Sequence, residues 1–471
     1  MNTVRHNFGI AVLSRLAVGG ISLVIVGLLT RTLGPAGYGQ YSLILAYLFV
    51  VMALADLGLY TFLVREISKT GADEKFIASN ILSLRLVSVV GFLGLGVLVS
   101  LLLPYSGEIR LGILIAGIFA VFSSLVQVLT GVFQKYLKLY YVSLADVLGR
   151  GFQLLLVVMA ARLGLGFLAF VWIVAVSELI HFLIVFVFAR GLVKVGIELN
   201  FRYWGQTLKE SLPIAVSLVF VLLYFKMDTV LLSVLKPAYD VGVYSAAYKV
   251  LETVIFLPAI YVGLLMPMLS RQAGENHQEF VKIFRRGFDA LSVFALPAMA
   301  YLFLRADDII RIVGGAQFGQ SVVVLQILSI AIMLIFFGNL GGNALVALGL
   351  QKKGVGIYLA GAVFNIGANL ILIPRYSFLA AAWTTVLTEL LVTVGMFWLI
   401  KKQTQTTVSG KVFWRAALAT LITVGVIHPL HLNLAFATIA SLAYFPILAL
   451  LGGAGRQVIR EILQPQKTIP S

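Results

Sequence analysis

The sequence predicts an all-α membrane protein of about 14 transmembrane helices, built as two related six-helix lobes with two further helices at the C-terminal end. Three observations predict it. Of the 471 residues, 61% are hydrophobic and only 11% are charged, whereas a soluble domain runs to about 25% charged. Apolar stretches long enough to span a bilayer, about 20 residues each, recur along the whole chain. The basic residues fall in alternate connections between those stretches, as membrane topology demands. What is left between the spans is too short for a sizeable soluble domain, and this excludes a water-soluble globular enzyme.

Taken in order, the apolar segments are 8–30, 41–63, 77–103, 111–133, 141–162, 166–189, 211–235, 241–268, 281–304, 320–349, 355–373, 377–400, 412–431 and 433–452. The first has no small-residue cleavage site and is long enough to span, so it reads as a helix and not as a signal peptide. Only His428-Pro429-Leu430-His431 separates the last two, and thirteen or twelve spans follow if no turn forms there.

The net charge of +16 would suggest nucleic acid in a soluble protein. Here topology accounts for it. Of the 35 Lys and Arg, 23 lie in connections on the N-terminal side of the membrane and seven on the other, so both termini are expected in the cytoplasm of a cell-membrane protein. The chain has no cysteine, so disulfides, thiol nucleophiles and zinc–thiolate sites are excluded. No phosphate-binding Gly-x-x-x-x-Gly-Lys motif and no His-Glu-x-x-His occurs. No cofactor is expected, and any driving force is an ion gradient, the membrane potential or consumption of substrate.

The widest connection, about 190–210, is basic and carries Tyr203-Trp204 beside Lys209. It divides the chain into a lobe at 1–200, a lobe at 201–404, and two spans with a cytoplasmic tail at 405–471. The lobes resemble one another. Gly39-Gln40-Tyr41-Ser42 opens the second segment after Gly34-Pro35-Ala36, and Gly242-Val243-Tyr244-Ser245 opens the eighth after Pro237-Ala238-Tyr239. An offset of six spans gives both repeats the same orientation, with a pseudo-twofold axis along the membrane normal and a substrate site expected between the halves.

Ionisable side chains inside spans are costly and by default mark a pathway. The set comprises Arg15, Asp56, Arg85, Asp146, Arg150, Glu178, Lys226, Asp228, Lys249, Glu252, Asp289 and Glu389. Asp146 and Arg150 have the four-residue spacing of a local ion pair, and Lys249 and Glu252 the three-residue one. Lys226 and Asp228 point to different faces, so Asp228 is expected to bond another helix and Lys226 to meet a cavity. Arg15, about 10 Å along the first helix, either snorkels to headgroups or serves a cationic vestibule, with Arg85 a weaker candidate for the same role. Glu178 and His181, three apart, form either a proton relay or a structural hydrogen bond. Asn365 and Asn369 form a polar strip or join helices. Gly19-Gly20 and Gly27 in the first segment, with Pro258, Pro267 and Pro297 later, serve either as hinges or in packing.

The run Thr30-Arg31-Thr32-Leu33-Gly34-Pro35-Ala36-Gly37-Tyr38-Gly39-Gln40-Tyr41-Ser42, with Ala55-Asp56-Leu57-Gly58-Leu59 and Arg65-Glu66-Ile67, resembles the signature of polysaccharide-transporter (Wzx-like) oligosaccharide flippases. Phe225-Lys226-Met227-Asp228-Thr229-Val230-Leu231-Leu232 and Val241-Gly242-Val243-Tyr244-Ser245-Ala246-Ala247-Tyr248-Lys249 resemble the matching stretch of the second half. The resemblance implies the V-shaped MOP/MATE exporter fold and movement of a polyprenyl-(pyro)phosphate-linked glycan to the outer leaflet. Substrate-facing residues would be Arg15, Lys226 and Lys249, with Asp56, Arg85, Asp228 and Glu252 around them. The partners it implies are that glycan, membrane lipids and a polysaccharide polymerase or glycosyltransferase, with the chain itself a monomer. Two alternatives of the same superfamily stand beside it, a cation-coupled multidrug exporter and a lipid II flippase. A membrane glycosyltransferase lacks support because no large outer loop is present.

Overall fold

The computed structural model describes residues 2–405, 408–430 and 433–452. The chain runs through α1 (Asn2–Asp56), α2 (Leu59–Ile67), α3 (Glu74–Leu102), α4 (Gly107–Lys135), α5 (Leu139–Arg162), α6 (Phe167–Arg190), α7 (Phe201–Leu235) and α8 (Ala238–Val254). It continues through α9 (Phe256–Glu275), α10 (His277–Leu304), α11 (Ala306–Val313), α12 (Ser321–Ala347), α13 (Gln351–Thr404), α14 (Lys411–Ile427), α15 (Leu434–Ser441) and α16 (Tyr444–Leu450). Among the described residues there is no strand, and nine helices are long and apolar enough to cross a membrane. Part of the difference from fourteen apolar segments has a local cause. α1 carries the first two segments through a break at Gly34 (φ 65°, ψ −179°), and α13 carries 355–373 and 377–400 through a break at Ser377 (φ 50°, ψ −133°).

Breaks and caps follow local chemistry. Gly19-Gly20 and Gly27, read as hinges or packing residues, lie within continuous helix, and α1 breaks where Gly34 takes a positive φ ahead of Pro35. α8 ends at Val254, four residues before Pro258, whose ring would clash with that carbonyl in an unbroken helix. Pro267 and Pro297 stay inside α9 and α10. Asp73, Ser106, Asn200 and Asn276 cap α3, α4, α7 and α10 by accepting from the backbone N–H three residues on.

Contacts divide the chain into two compact units. The first comprises residues up to Ala246 with Val313–Gln317 and Asn365–Ala381; the second comprises Ala247–Ile312, Phe318–Phe364 and the described residues from Ala382 onward. In the first, α4 lies along α6 and α3, α5 packs on α1 and α6, and α1 also packs on α7. The stretch 191–200 is fastened to α3 through polar side chains on that helix. Gly196, Glu198 and Asn200 donate backbone N–H groups to Ser79, Ser83 and Asn80 at 3.0, 2.9 and 2.9 Å, which explains why those three residues are buried in an apolar bundle.

The two matched motifs meet inside this unit. A methyl group on Gly39 would stand 1.8 Å from the Ala238 carbonyl oxygen, and one on Gly242 would stand 1.9 Å from that of Pro35. Each glycine admits the backbone of the other repeat, the close approach that small residues permit between membrane helices.

The second unit packs α10 against α9, α12 and α14. Its interior is filled by rings: Phe288 lies 4.8 Å from Phe337 and 5.8 Å from Phe397, with Phe284 5.5 Å from Phe397 and Phe413 6.2 Å from Phe337. The segment expected at 433–452 consists of α15 and α16, two short helices separated at Leu442-Ala443, with Tyr444 and Leu448 in a core beside Ala416 and Ala419 of α14. His431 and the tail at 453–471, with Arg456, Arg460 and Lys467, lie outside the described residues, as does the side chain of Arg5.

Candidate functional site

Within the first unit, four helices each turn one stripe toward a common cavity of about 710 Å³. α1 contributes Phe49, Met52, Ala53 and Asp56; α4 contributes Phe119, Ser123, Val126 and Gln127; α5 contributes Asp146, Gly149, Arg150 and Gln153; and α6 contributes Val174, Ser177, Glu178 and His181. These spacings of three and four residues place each set on one helical face. Arg85 of α3 and Tyr60 and Thr61 of α2 complete the lining.

The polar groups hold one another in place. α1 stops at Asp56 because Leu57 and Gly58 both adopt positive φ, and the carbonyl of Ala55 is left without a helical partner. Arg85 donates to it at 3.2 Å and Ser88 at 2.7 Å, so the freed backbone group is satisfied inside the bundle. The same guanidinium donates to Asp56 at 2.5 Å and to Gln127 Oε1 at 2.6 Å. Arg85, the weaker vestibule candidate, is among the largest fully buried side chains and lines the cavity.

Asp146 and Arg150 do not pair with one another, contrary to their spacing. Asp146 lies 3.2 Å from Nε2 of His181, whose Nδ1 lies 3.3 Å from Glu178, and Arg150 donates to Gln153 at 2.7 Å. The tertiary neighbour α6 outbids the local partner because His181 sits against Gly149, where a side chain would come within 3.1 Å of it. The expected Glu178–His181 contact is present. In total the lining carries three carboxylates, two guanidiniums and one imidazole, so it has no net positive charge in either state of the imidazole.

The other expected residues lie elsewhere. Asp228 is buried and bonds across helices, accepting from Asn369 at 2.6 Å and from Tyr244 at 3.2 Å. Asn369 also donates to Asn365 at 3.2 Å, so this pair joins helices as well as forming a strip. Lys226 is half-buried with its ammonium 5.6 Å from the ring of Phe49, a residue that lines the cavity. Lys249 and Glu252 form the expected ion pair at 3.1 Å, in the second unit. Arg15 is exposed on α1. None of Arg15, Lys226 and Lys249 lines the cavity of the first unit. Sequence reasoning missed Gln127, Gln153, Ser123 and Ser177, because uncharged amides and hydroxyls carry no desolvation alarm. The stripe Asp146-Gly149-Arg150-Gln153 was the signal that could have found them.

A family model described as polysaccharide biosynthesis protein matches residues 4–272, more than half of the chain, and the MatE model matches residues 213–371. The chain belongs to the polysaccharide biosynthesis protein family. A probable low-salt glycan biosynthesis flippase of Haloferax volcanii is 24% identical over 381 residues, 78% of this chain and 77% of that protein. A capsular polysaccharide biosynthesis protein of Staphylococcus aureus is 24% identical over 212 residues, 45% of this chain and 53% of that one. Among solved structures, a lipid II flippase in an inward closed conformation aligns with a TM-score of 0.77 at 15% identity, covering 97% of this chain and 99% of its own. An inward-facing multidrug resistance MATE family transporter aligns at 0.67 and 15%, covering 85% and 100%. The chain shares its fold with these two structures, and its apolar helices make it a multi-pass membrane protein.

Proposed function

We propose that this chain is a flippase that carries a polyprenyl-(pyro)phosphate-linked oligosaccharide or polysaccharide repeat unit from the cytoplasmic to the outer leaflet by alternating access. The observation that carries the reading is the polar cavity of the first unit. Hydroxyls, amides and paired charges line it within helices otherwise apolar enough to span a membrane, an arrangement whose cost a polar cargo explains. A saccharide cannot cross hydrocarbon unaided, and a wet, polar path lowers that barrier while the lipid anchor stays in the bilayer.

The positive-inside bias supports a chain with both termini in the cytoplasm and about 14 spans in two lobes at 1–200 and 201–404, followed by two more. In this reading Arg15, Lys226 and Lys249 meet the (pyro)phosphate, while Asp56, Arg85, Asp228 and Glu252 hold the polar frame. A glycan polymerase or glycosyltransferase acts with the chain, itself a monomer. The decisive experiment is surface-glycan display in cells that depend on this protein, with membrane abundance followed in parallel. Arg15→Ala and Lys226→Ala are each expected to abolish display at unchanged abundance. Normal display with both would overturn the cationic part of the reading.

The three carboxylates of the cavity favour one second reading, cation-coupled export of cationic compounds. Efflux of a cationic dye that depends on this chain and falls with Asp56→Asn would select it.

A further inference from the structure

We propose that the cavity of the first unit is a saccharide-binding subsite, which takes a short stretch of the carried glycan's sugar while the phosphate is held elsewhere. The inference rests on the transport reading above and adds where, and by what chemistry, the sugar is bound.

Size is the first argument. About 710 Å³ lies within the range of small-molecule sites, about 300–1,000 Å³, which admits a short saccharide and not an extended chain.

Unspent hydrogen-bonding capacity is the second. Arg85 and Ser177 are both more than nine-tenths buried, and Arg85 Nε and Ser177 Oγ have no hydrogen-bond partner among the described residues. A buried polar atom left unpaired costs about 1–3 kcal/mol, so such atoms lining a cavity mark where a polar molecule belongs. Gln127 and Gln153 each use the side-chain carbonyl to accept from an arginine, which turns their amide N–H groups over to other acceptors. Asp56, Asp146 and Glu178 each commit one oxygen to a partner and keep the second. A sugar hydroxyl both donates and accepts, and only a lining with donors and acceptors interleaved satisfies it on both counts.

The mixed charges of the lining suit neither a phosphate nor a cation as well as they suit a sugar. A phosphate offers chiefly acceptors and negative charge, and it would meet three carboxylates. A cation would meet two guanidiniums, one of which, Arg150, is bonded to a neutral amide and not to a carboxylate. A neutral, hydroxyl-rich ligand meets neither penalty, and the unneutralised Arg150 can receive the carboxylate of an acidic sugar. Phe49, Phe119 and Tyr60 supply the apolar surface that a pyranose ring also presents.

Depth fits loading. The charged and amide groups on α3 to α6 lie about 10–21 Å from the helix ends that border 68–73, 136–138 and 191–200, at 1.5 Å per residue. Those connections hold Lys69, Lys138 and Lys194, on the side that charge bias assigns to the cytoplasm.

The absence of cysteine makes the test direct. In the full chain reconstituted in nanodiscs, Ser123→Cys places the single thiol in the cavity lining, and a small methanethiosulfonate reagent reports access to it. The probes are glucose, galactose, N-acetylglucosamine and glucuronic acid, with inorganic phosphate and tetraphenylphosphonium as the anion and cation arms. At least one sugar is expected to slow labelling, by about threefold at twice its dissociation constant. Adding Gln153→Leu should abolish that protection, and Ser177→Ala replaces it if the leucine variant does not insert. The subsite is overturned if no sugar protects, if protection survives both variants, or if only phosphate or the cation protects. Wild-type transport of lipid-linked glycan without sugar protection overturns the subsite alone, whereas sugar protection without transport overturns the transport reading alone.

Discussion

The two units use the same building material, long apolar helices, and fill their interiors differently. The first is hollow and polar, with Arg85, Asp146, Arg150, Glu178 and His181 around a 710 Å³ cavity. In the second, Phe284, Phe288, Phe337 and Phe397 pack ring against ring, and a cavity beside α14, lined by Tyr301, Thr420, Thr423 and Tyr444, is about 60 Å³. The difference teaches that helices of like apolar composition can enclose quite different interiors. Close apolar packing stabilises both units; the first adds hydrogen bonds around its cavity, each of which is expensive to break where water is scarce.

That contrast can be broken most sharply at the centre of each unit. Arg85→Ala strands the Asp56 carboxylate and the Ala55 carbonyl and is expected to destabilise by about 3–5 kcal/mol. Phe337→Ala costs a similar amount, about 3–5 kcal/mol, by leaving a void. Thermal unfolding in detergent measures both, and the distinction lies in the repair. Asp56→Asn added to Arg85→Ala removes the stranded charge and should recover part of the loss, whereas no polar change near Phe337 should recover any. Equal recovery in both units would show that the first is held by packing alone.

Next comes the crossing of the repeats. Gly242→Ala forces the backbones of the two motifs apart and should cost about 1–3 kcal/mol, with the same sign for Gly39→Ala. Gly20→Ala, where a methyl group meets nothing within 4 Å, is the control and should be near neutral. A stable Gly242→Ala chain would refute the backbone contact.

The smallest effect lies outside the expected spans, in the last turn of α2. Burial pushes the Glu66 carboxyl up, but Lys69 at 2.5 Å and Arg65 at 2.9 Å outweigh it and hold the group below its ordinary value. A lowered folded value gives stability that is present above the unfolded value, about 4.3, and lost as pH falls through the folded one. Glu66→Gln should therefore melt lower than the native chain at neutral pH, with the gap closing in acid. A gap independent of pH would show that the ion pairs contribute nothing.

Much was legible in the sequence, and for identifiable reasons. Hydropathy gave the class because the bilayer imposes length and apolarity on every span, and the paired Gly-x-Tyr-Ser motifs gave the repeat. Lys249–Glu252 and Glu178–His181 were legible because their partners lie within one helical turn. The Asp146–Arg150 expectation failed by the same logic. A spacing rule describes an isolated helix, and it cannot weigh α6, which brings His181 to Asp146 and leaves Arg150 to Gln153. The partners of Arg85 were not legible, because nothing local says that α1 unwinds at Leu57-Gly58 and bares the Ala55 carbonyl to a side chain 30 residues away.

By itself, then, the sequence determined the solvent and the helical class, since these depend on composition and on neighbours a few residues apart. Only the tertiary structure decided which charges neutralise one another, which glycines touch, and which stripes line the cavity. Those outcomes depend on distances between helices, and a buried ion or amide takes the partner that folding brings nearest, not the one that the chain places next to it.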